Sequence, residues 1–112
     1  MNYTIKTNSL GDKFYYVNNV LHREDGSAIE LNNGDKFWYK NGKLRREDGP
    51  ACEYAKGETW WYKNGKIHRE DGPAVEHVDG TKYWYLNGKL YGYNNDFTNK
   101  SWKSFFKTLI FS

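Results

Sequence analysis

A tandem repeat with a period of 23 residues is the feature that most constrains the fold of this 112-residue chain. Its register is marked by four tyrosines, Tyr16, Tyr39, Tyr62 and Tyr85. The segment Arg-Glu-Asp-Gly recurs with the same step at 23–26, 46–49 and 69–72, and no insertion or deletion breaks the register between Gly11 and Leu90. The chain is therefore a tandem array of three full units and a partial fourth, and each unit is expected to pack mainly on its neighbours.

Turn signals inside each unit indicate β-hairpins. An Asn-Gly pair between two strand-like runs, as at Asn41–Gly42, is typical of a type I′ turn, which needs positive φ at both residues. The first unit has Asn18–Asn19 instead, and asparagine tolerates that region. A second turn, with a positive φ at glycine, is expected at Glu-Asp-Gly. We predict an all-β fold of tandem β-hairpin repeats that form an elongated, twisted antiparallel sheet.

Alternation of side chains along the hairpins divides each unit into two faces. The face predicted to form the core carries three rows, which are Phe14, Phe37, Trp60 and Tyr83, then Tyr16, Tyr39, Tyr62 and Tyr85, then Leu21, Leu44, Ile67 and Leu90. Such a core is largely aromatic, in keeping with an aromatic content of 19%. Cys52 occupies the position of Ile29 and Val75, which predicts a small buried hydrophobic residue without chemistry.

We predict one domain over 1–112, with an N-terminal strand or cap at 1–10, the repeats at 11–92 and a short C-terminal amphipathic helix at 96–111. The helix is indicated by a stripe at i, i+3, i+4 and i+7, formed by Trp102, Phe105, Phe106 and Leu109. Either Thr98 or Asn99 fits as its N-cap. Two roles remain open for this helix, a lid that caps the last unit and a docking or dimerising element.

Composition argues against several functional classes. The chain has a single cysteine, which excludes an internal disulfide framework and a cysteine-built zinc site. No apolar run approaches the roughly 18 residues that span a bilayer, and the N-terminus has no signal-peptide core. We therefore expect a cytoplasmic protein with no membrane partner.

The polar residues also argue against an enzyme, since a catalytic site needs a unique constellation and these residues recur. His22 returns as His68, but Arg45 stands at that position in the middle unit, and arginine does not accept a proton. We predict no catalytic residue, no metal site and no cofactor. Instead, Arg23, Arg46 and Arg69 are expected to pair with acidic residues of their own or a neighbouring unit.

The second hairpin face is the better candidate for binding, because it combines an aromatic row with cations. The candidate binding residues are Tyr15, Trp38, Trp61, Trp84, Lys40, Lys63, Arg45 and His68. Three interpretations stay open: rings packed in the fold, a protein interface, and a stacking platform for nucleic acid or nucleotides. A net charge of only +3 disfavours the last. Trp61 is expected to lie partly buried beneath Lys or Arg stems.

The repeat resembles known sequences over about residues 11–92. Its Asn-Gly-Lys segment with a preceding aromatic pair resembles the MORN (membrane occupation and recognition nexus) repeat. The stretch from Trp61 to Ala74, Trp-Tyr-Lys-Asn-Gly-Lys-Ile-His-Arg-Glu-Asp-Gly-Pro-Ala, is more similar to a repeat of phage and giant-virus proteins. Where the MORN repeat continues with His-Gly-x-Gly, this chain has Arg-Glu-Asp-Gly-Pro. The resemblance implies an extended sheet of hairpins used as a scaffold or binding surface.

These expectations favour a non-enzymatic β-repeat module that binds a protein partner. The resemblance implies a phage or viral source, and analogy suggests inhibition of a host factor or host defence system. The alternative function is binding of nucleic acid or a nucleotide through the aromatic and basic row. Homodimerisation through the C-terminal helix or a sheet edge is a further option.

Overall fold

The computed structural model describes residues 2–110, which form an elongated array of β-hairpins followed by one α-helix. Its principal extents are 46 × 31 × 19 Å. The radius of gyration is 15.7 Å, whereas a compact chain of this length has about 13 Å. The predicted fold class, an elongated all-β repeat with a short C-terminal helix, is confirmed.

Turn residues interrupt each unit several times, so the strands inside the repeat are short. In the described residues the strands are β1 Thr4–Thr7, β2 Lys13–Val17, β3 Val20–Leu21, β4 Ile29–Glu30, β5 Lys36–Phe37, β6 Tyr39–Lys40, β7 Lys43–Leu44, β8 Cys52–Glu53, β9 Thr59–Trp60, β10 Tyr62–Lys63, β11 Lys66–Ile67, β12 Val75–Glu76, β13 Lys82–Leu86 and β14 Lys89–Tyr93. A 3-10 helix at Asn94–Asp96 and helix α1 at Asn99–Ile110 follow.

One antiparallel sheet runs along the described part of the chain. Its path is β1-β2-β4-β5-β8-β9-β12-β13-β14, and β3 pairs with β2. The hairpins β6–β7 and β10–β11 form separate two-stranded ribbons. Each of these two internal units thus contributes two strands to the sheet and one hairpin that projects from it.

The pairing register keeps successive units in step. Phe37 lies opposite both Ile29 and Cys52, and Trp60 lies opposite both Cys52 and Val75. Equivalent residues of neighbouring units are therefore separated by two strand steps, with no shift along the strands. The 23-residue period of the sequence becomes a straight ladder of like residues across the sheet.

The Asn-Gly turns have the predicted conformation. Both central residues of the hairpin have positive φ, 53° at Asn64 and 78° at Gly65. The first unit achieves the same with Asn18 and Asn19, at 51° and 65°. The prediction of a positive φ at the glycine of the second turn was wrong, because Gly72 does not have a positive φ. A glycine is present there because the Arg69 side chain approaches it closely.

The predicted aromatic core is only partly closed. Ala28, Ala51 and Ala74 are each 0% exposed, but the three predicted rows are half-buried, and Leu90 is 48% exposed. A single extended sheet has no second layer to cover its large rings. Within the repeats, complete burial is reached by the small alanines, whereas the large buried side chains Trp84 and Trp102 lie at the C-terminal end, where the helix packs on the last unit.

Cys52 is 3% exposed, and burial raises the pKa of its thiol to about 12. This confirms the prediction of a buried hydrophobic residue, since a thiol that stays protonated near neutral pH is a poor nucleophile.

Helix α1 caps the last unit. Thr98 is its N-cap: its Oγ1 accepts from the Ser101 backbone N–H at 3.0 Å, and the Ser101 hydroxyl oxygen accepts from the Thr98 N–H at 2.9 Å. Trp102 is 0% exposed and donates from Nε1 to the Arg69 carbonyl at 2.7 Å. Of the predicted helix at 96–111, residue 111 lies outside the described residues. The helices of the described chain include none that is both long and apolar enough to cross a membrane.

We expect Gly65→Ala to lower the free energy of unfolding by about 1–2 kcal/mol, the cost of a left-handed conformation for a residue with a Cβ. An added Cβ at Gly65 meets no atom within 4 Å, so the effect isolates backbone conformation. Gly65→Asn is the matched control and should cost less, because Asn19 occupies the equivalent position at φ 65°. Urea unfolding of the three proteins tests this, and equal losses for Ala and Asn would contradict it.

Candidate functional site

A stacked pair of arginine and aromatic ring recurs in three units. The guanidinium carbon lies 3.9 Å from the ring centroid in each pair, Arg23 on Tyr15, Arg46 on Trp38 and Arg69 on Trp61. We call these pairs the Arg–aromatic stacks. The expectation that Trp61 lies partly buried beneath a cationic stem is confirmed, and the stem is that of Arg69.

Backbone bonds fix the ring of each stack where the chain leaves the sheet for its projecting hairpin. Trp61 donates its N–H to the Ala74 carbonyl at 2.7 Å, and its own carbonyl accepts from the His68 N–H at 3.0 Å. Trp38 has the same two bonds, with Ala51 and Arg45, at 2.8 and 2.9 Å. The backbone at Trp38 and at Trp61 is therefore hydrogen-bonded in the same way, so both indoles start from equivalent positions in the repeat.

Each stacked guanidinium is also bound by two carboxylates. In the third unit Arg69 donates from Nε to Asp71 at 2.9 Å and from Nη1 to Glu76 at 3.4 Å and to the Pro73 carbonyl at 3.1 Å. The same ion pairs are Arg23 with Asp25 and Glu30, and Arg46 with Asp48 and Glu53. The predicted pairing of these arginines with acidic residues is confirmed.

The glycine of Arg-Glu-Asp-Gly makes room for the guanidinium. A Cβ on Gly72 would lie 2.7 Å from Cζ of Arg69, and one on Gly49 would lie 2.8 Å from Cζ of Arg46. The glycine is therefore required by this close approach.

His68 is almost fully buried, although it also lines the groove between the second and third units. It is 6% exposed, its Nδ1 accepts from the Asn87 backbone N–H at 2.9 Å, and its Nε2 lies 2.8 Å from Glu70. Because Nδ1 is an acceptor, Nε2 carries the proton and donates to the carboxylate. His22 joins the first two units in the same way through Asn41. These histidines connect successive units.

Trp84 is also buried, which corrects its place in an exposed aromatic row. It is 1% exposed, donates from Nε1 to the Asn94 carbonyl at 2.9 Å, and packs on Phe97 and Trp102. Gly92 stands one period after Arg69, so the fourth unit has no stacked guanidinium. Aromatic rings take its place, and a Cβ on Gly92 would lie 2.6 Å from the Phe97 ring.

The predicted cations lie at the surface but are paired. Lys40 is 3.6 Å from Glu24, and Lys63 is 3.4 Å from Glu70. Arg45, which replaces the histidine of the other units, is 2.7 Å from Glu47. Each of these cations is thus paired with the glutamate that directly follows a stacked arginine in sequence.

Two open grooves lie between successive units on this face. Groove A, about 560 Å³, separates the first and second units, with Asp25, Trp38, Lys40 and Asp48 among its lining residues. Groove B, about 270 Å³, separates the second and third, with Arg45, Trp61, Lys63 and Asp71 among its lining residues. Of the predicted binding residues, Tyr15 and Trp84 lie outside the linings of both grooves. The other six are in one lining or both: Trp38, Trp61, Lys40, Lys63, Arg45 and His68.

Three exposed aspartates that line these grooves are not among the binding residues predicted from the sequence. The side chains of Asp25, Asp48 and Asp71 are 74%, 92% and 58% exposed. The sequence does indicate them, because an aspartate follows two residues after the repeated arginine in all three units. In residues 2–110, no three His, Cys, Asp or Glu side chains lie close enough together to hold a metal ion.

No family model matches the chain, and neither a curated protein nor a solved structure matches it significantly.

We expect a double-mutant cycle to couple Gly72 and Arg69. Gly72→Ala should destabilise the protein by about 1–3 kcal/mol, because the new methyl group overpacks the guanidinium. In an Arg69→Ala background the same change should be neutral or stabilising, since the obstruction is gone. Urea unfolding of the four proteins measures the coupling, and equal costs of Gly72→Ala in both backgrounds would refute the close-contact explanation.

A pH dependence follows from the histidine–glutamate contacts. The hydrogen bond from His68 lowers the pKa of Glu70 below its ordinary value of 4.5. A carboxyl with a lowered folded-state pKa stabilises the fold above its ordinary pKa, and this contribution is lost as the pH falls through the folded-state value. We expect unfolding free energy to drop below about pH 4.5. Glu70→Gln should be less stable at neutral pH and show a shallower drop; a wild-type slope in that variant would count against this assignment.

Proposed function

We propose that this chain is a non-enzymatic protein-binding module whose partner occupies grooves A and B. The observation that carries the proposal is the repeated, fixed pairing of a half-buried indole with a charged rim, at Trp38 and again at Trp61. Tryptophan and arginine are enriched among the residues that dominate protein interfaces. Two neighbouring grooves, each with an indole in its lining, offer a partner two adjacent contact sites.

One face of each indole is already occupied, which disfavours the nucleic-acid alternative. A base-stacking platform needs an aromatic face open to the ligand. The guanidinium of Arg46 covers a face of Trp38 at 3.9 Å, and that of Arg69 covers a face of Trp61 at 3.9 Å.

The charge of the rim argues in the same direction. Phosphate binding relies on unpaired lysines and arginines, whereas Lys40 and Lys63 face glutamates. The aspartates beside them are exposed, Asp48 to 92%, and would repel a phosphate backbone. A polypeptide, which can present cationic and apolar groups together, fits this surface better.

The recurring polar groups support a binding role without catalysis. Each stacked arginine is held by two carboxylates. His22 and His68 each use Nδ1 to join successive units and Nε2 to bind a glutamate of their own unit. Because the repeat resembles that of phage and giant-virus proteins, the first partners to test are host proteins, with inhibition of a host factor as the activity to assay.

A capture experiment tests the proposal. Immobilised wild-type protein is compared with the triple variant Asp25→Asn, Asp48→Asn, Asp71→Asn, in nuclease-treated host lysate at about 0.15 M salt. Asparagine keeps an oxygen that accepts from the guanidinium, so the Arg–aromatic stacks are retained. Asp79→Asn is the matched control, because Asp79 lies outside the linings of both grooves and Asn33 already occupies its position two units earlier.

We expect a protein that wild type and Asp79→Asn retain and that the triple variant loses. The melting temperatures of the triple variant and wild type are compared first. If the triple variant melts at a lower temperature, the single variant Asp48→Asn is used in its place. No retained protein in the nuclease-treated lysate, or equal retention by all variants, would overturn the proposal.

A further inference from the structure

We propose that groove B binds an extended polypeptide segment of the partner, which pairs with the open backbone edge of hairpin β10–β11 at residues 62–65. This inference rests on the proposed function and adds the conformation of the ligand and the groove at which it binds. The observation that carries it is a difference between the contacts that connect successive hairpins, which we call the first, middle and last junctions.

At the first junction, three hydrogen bonds connect hairpin β6–β7 to the first unit. They are Gly42 N–H to the Leu21 carbonyl at 2.9 Å, Asn41 N–H to His22 Nδ1 at 2.9 Å, and Arg23 N–H to the Tyr39 carbonyl at 3.1 Å. The segment at 21–23 thus pairs with the edge of the next hairpin.

The last junction has the same three bonds at the equivalent residues. They are Gly88 N–H to the Ile67 carbonyl at 2.8 Å, Asn87 N–H to His68 Nδ1 at 2.9 Å, and Arg69 N–H to the Tyr85 carbonyl at 3.3 Å. At both junctions, a segment of three residues therefore offers a carbonyl, a side-chain acceptor and an N–H to the next hairpin.

The middle junction lacks all three bonds. Within residues 2–110, no hydrogen bond connects the Gly65 N–H, the Asn64 N–H or the Tyr62 carbonyl to the second unit. Arg45 stands where the other junctions have histidine, and a guanidinium cannot accept a hydrogen bond. An added Cβ on Gly65 would meet no atom within 4 Å, whereas one on Gly42 would lie 3.2 Å from a side chain of the first unit. The edge at 62–65 is therefore open.

This open edge adjoins groove B. Tyr62 and Lys63 belong to the lining of the groove, and Arg45 belongs to it from the second unit. The half-buried indole of Trp61 is in the same lining and offers an apolar surface to a ligand side chain. When a peptide adds to a free strand edge, main-chain hydrogen bonds provide affinity and adjoining side-chain pockets provide specificity. Groove B has both features.

The two closed junctions indicate what the ligand must offer. It needs a carbonyl for the Gly65 N–H and, two residues later, an N–H for the Tyr62 carbonyl. Residues two apart lie on the same side of an extended chain, so an extended segment presents both groups to one edge. A side chain with an acceptor between them, such as histidine, asparagine or aspartate, would pair with the Asn64 N–H as His22 pairs with Asn41.

A peptide with the sequence of residues 66–70, Lys-Ile-His-Arg-Glu, tests the edge, because this segment pairs with the equivalent edge at the last junction. Both ends are blocked, and NMR follows its titration into isotope-labelled protein. We expect the amide signals of Asn64 and Gly65 to shift more than those of the equivalent residues at the closed junctions. The control peptide Lys-Ile-His-Pro-Glu lacks the N–H for the Tyr62 carbonyl and should bind several-fold more weakly.

The variant Arg45→His tests why the edge is open. It supplies the missing acceptor, and Glu47 stands where Glu70 binds Nε2 of His68, so the middle junction should close. We expect Arg45→His to slow the amide hydrogen exchange of Asn64 and Gly65 and to weaken peptide binding several-fold. Arg45→Met is the matched variant, because it removes the same charge without supplying a nitrogen acceptor, and it should weaken binding less.

No binding of the first peptide, equal binding of the two peptides, or equal losses in the two variants would overturn the inference. The proposed function has its own test, which is capture of a host protein that depends on the groove aspartates. Capture without peptide binding would refute the inference and leave the proposed function standing. Peptide binding at 62–65 without capture would do the reverse, so the two failures are distinguishable.

Discussion

The stack of a guanidinium on the aromatic ring of its own unit is the interaction on which this repeat depends. Arg69 touches Trp61 where the hairpin begins, Asp71 at the following turn and Glu76 on the next sheet strand. One side chain therefore ties together parts of the unit that the backbone alone would leave connected only by turns. Because Gly72 must stay without a side chain to admit it, the arginine, the aromatic residue and the glycine form one structural element.

Both ends of the array replace a missing neighbour by aromatic contacts. At the N-terminal end Tyr3 packs edge-on against Tyr15, and its hydroxyl accepts from the Glu24 N–H at 2.8 Å. At the other end Phe97 and Trp102 cover Trp84. Strand β1 is nevertheless exposed along its length at the margin of the sheet, and such margins favour pairing with another chain. Homodimerisation through it stays a prediction.

The same constraint shapes the surface offered to a partner. The Arg–aromatic stacks close one face of each indole, direct their carboxylates outward, and repeat at two strand steps. The lining of groove A has three cationic and four carboxylate side chains, and that of groove B has four and three, so neither groove carries a large net charge. Each groove is lined by residues of two successive units, so the surface proposed for binding depends on the contact between units.

The sequence by itself determined the number of units, the hairpin turns at Asn41–Gly42 and its equivalents, and the C-terminal helix, because these follow from local backbone preferences and from spacing. It also indicated that the stacked arginines find carboxylates. Only the tertiary structure decided which rings stay accessible. Trp61 and Trp84 occupy the same repeat position, yet one lines a groove and the other is 1% exposed. The difference arises from Gly92, Phe97 and Trp102, which lie elsewhere in the sequence and reach Trp84 only once the chain has folded, so periodicity alone could not predict it.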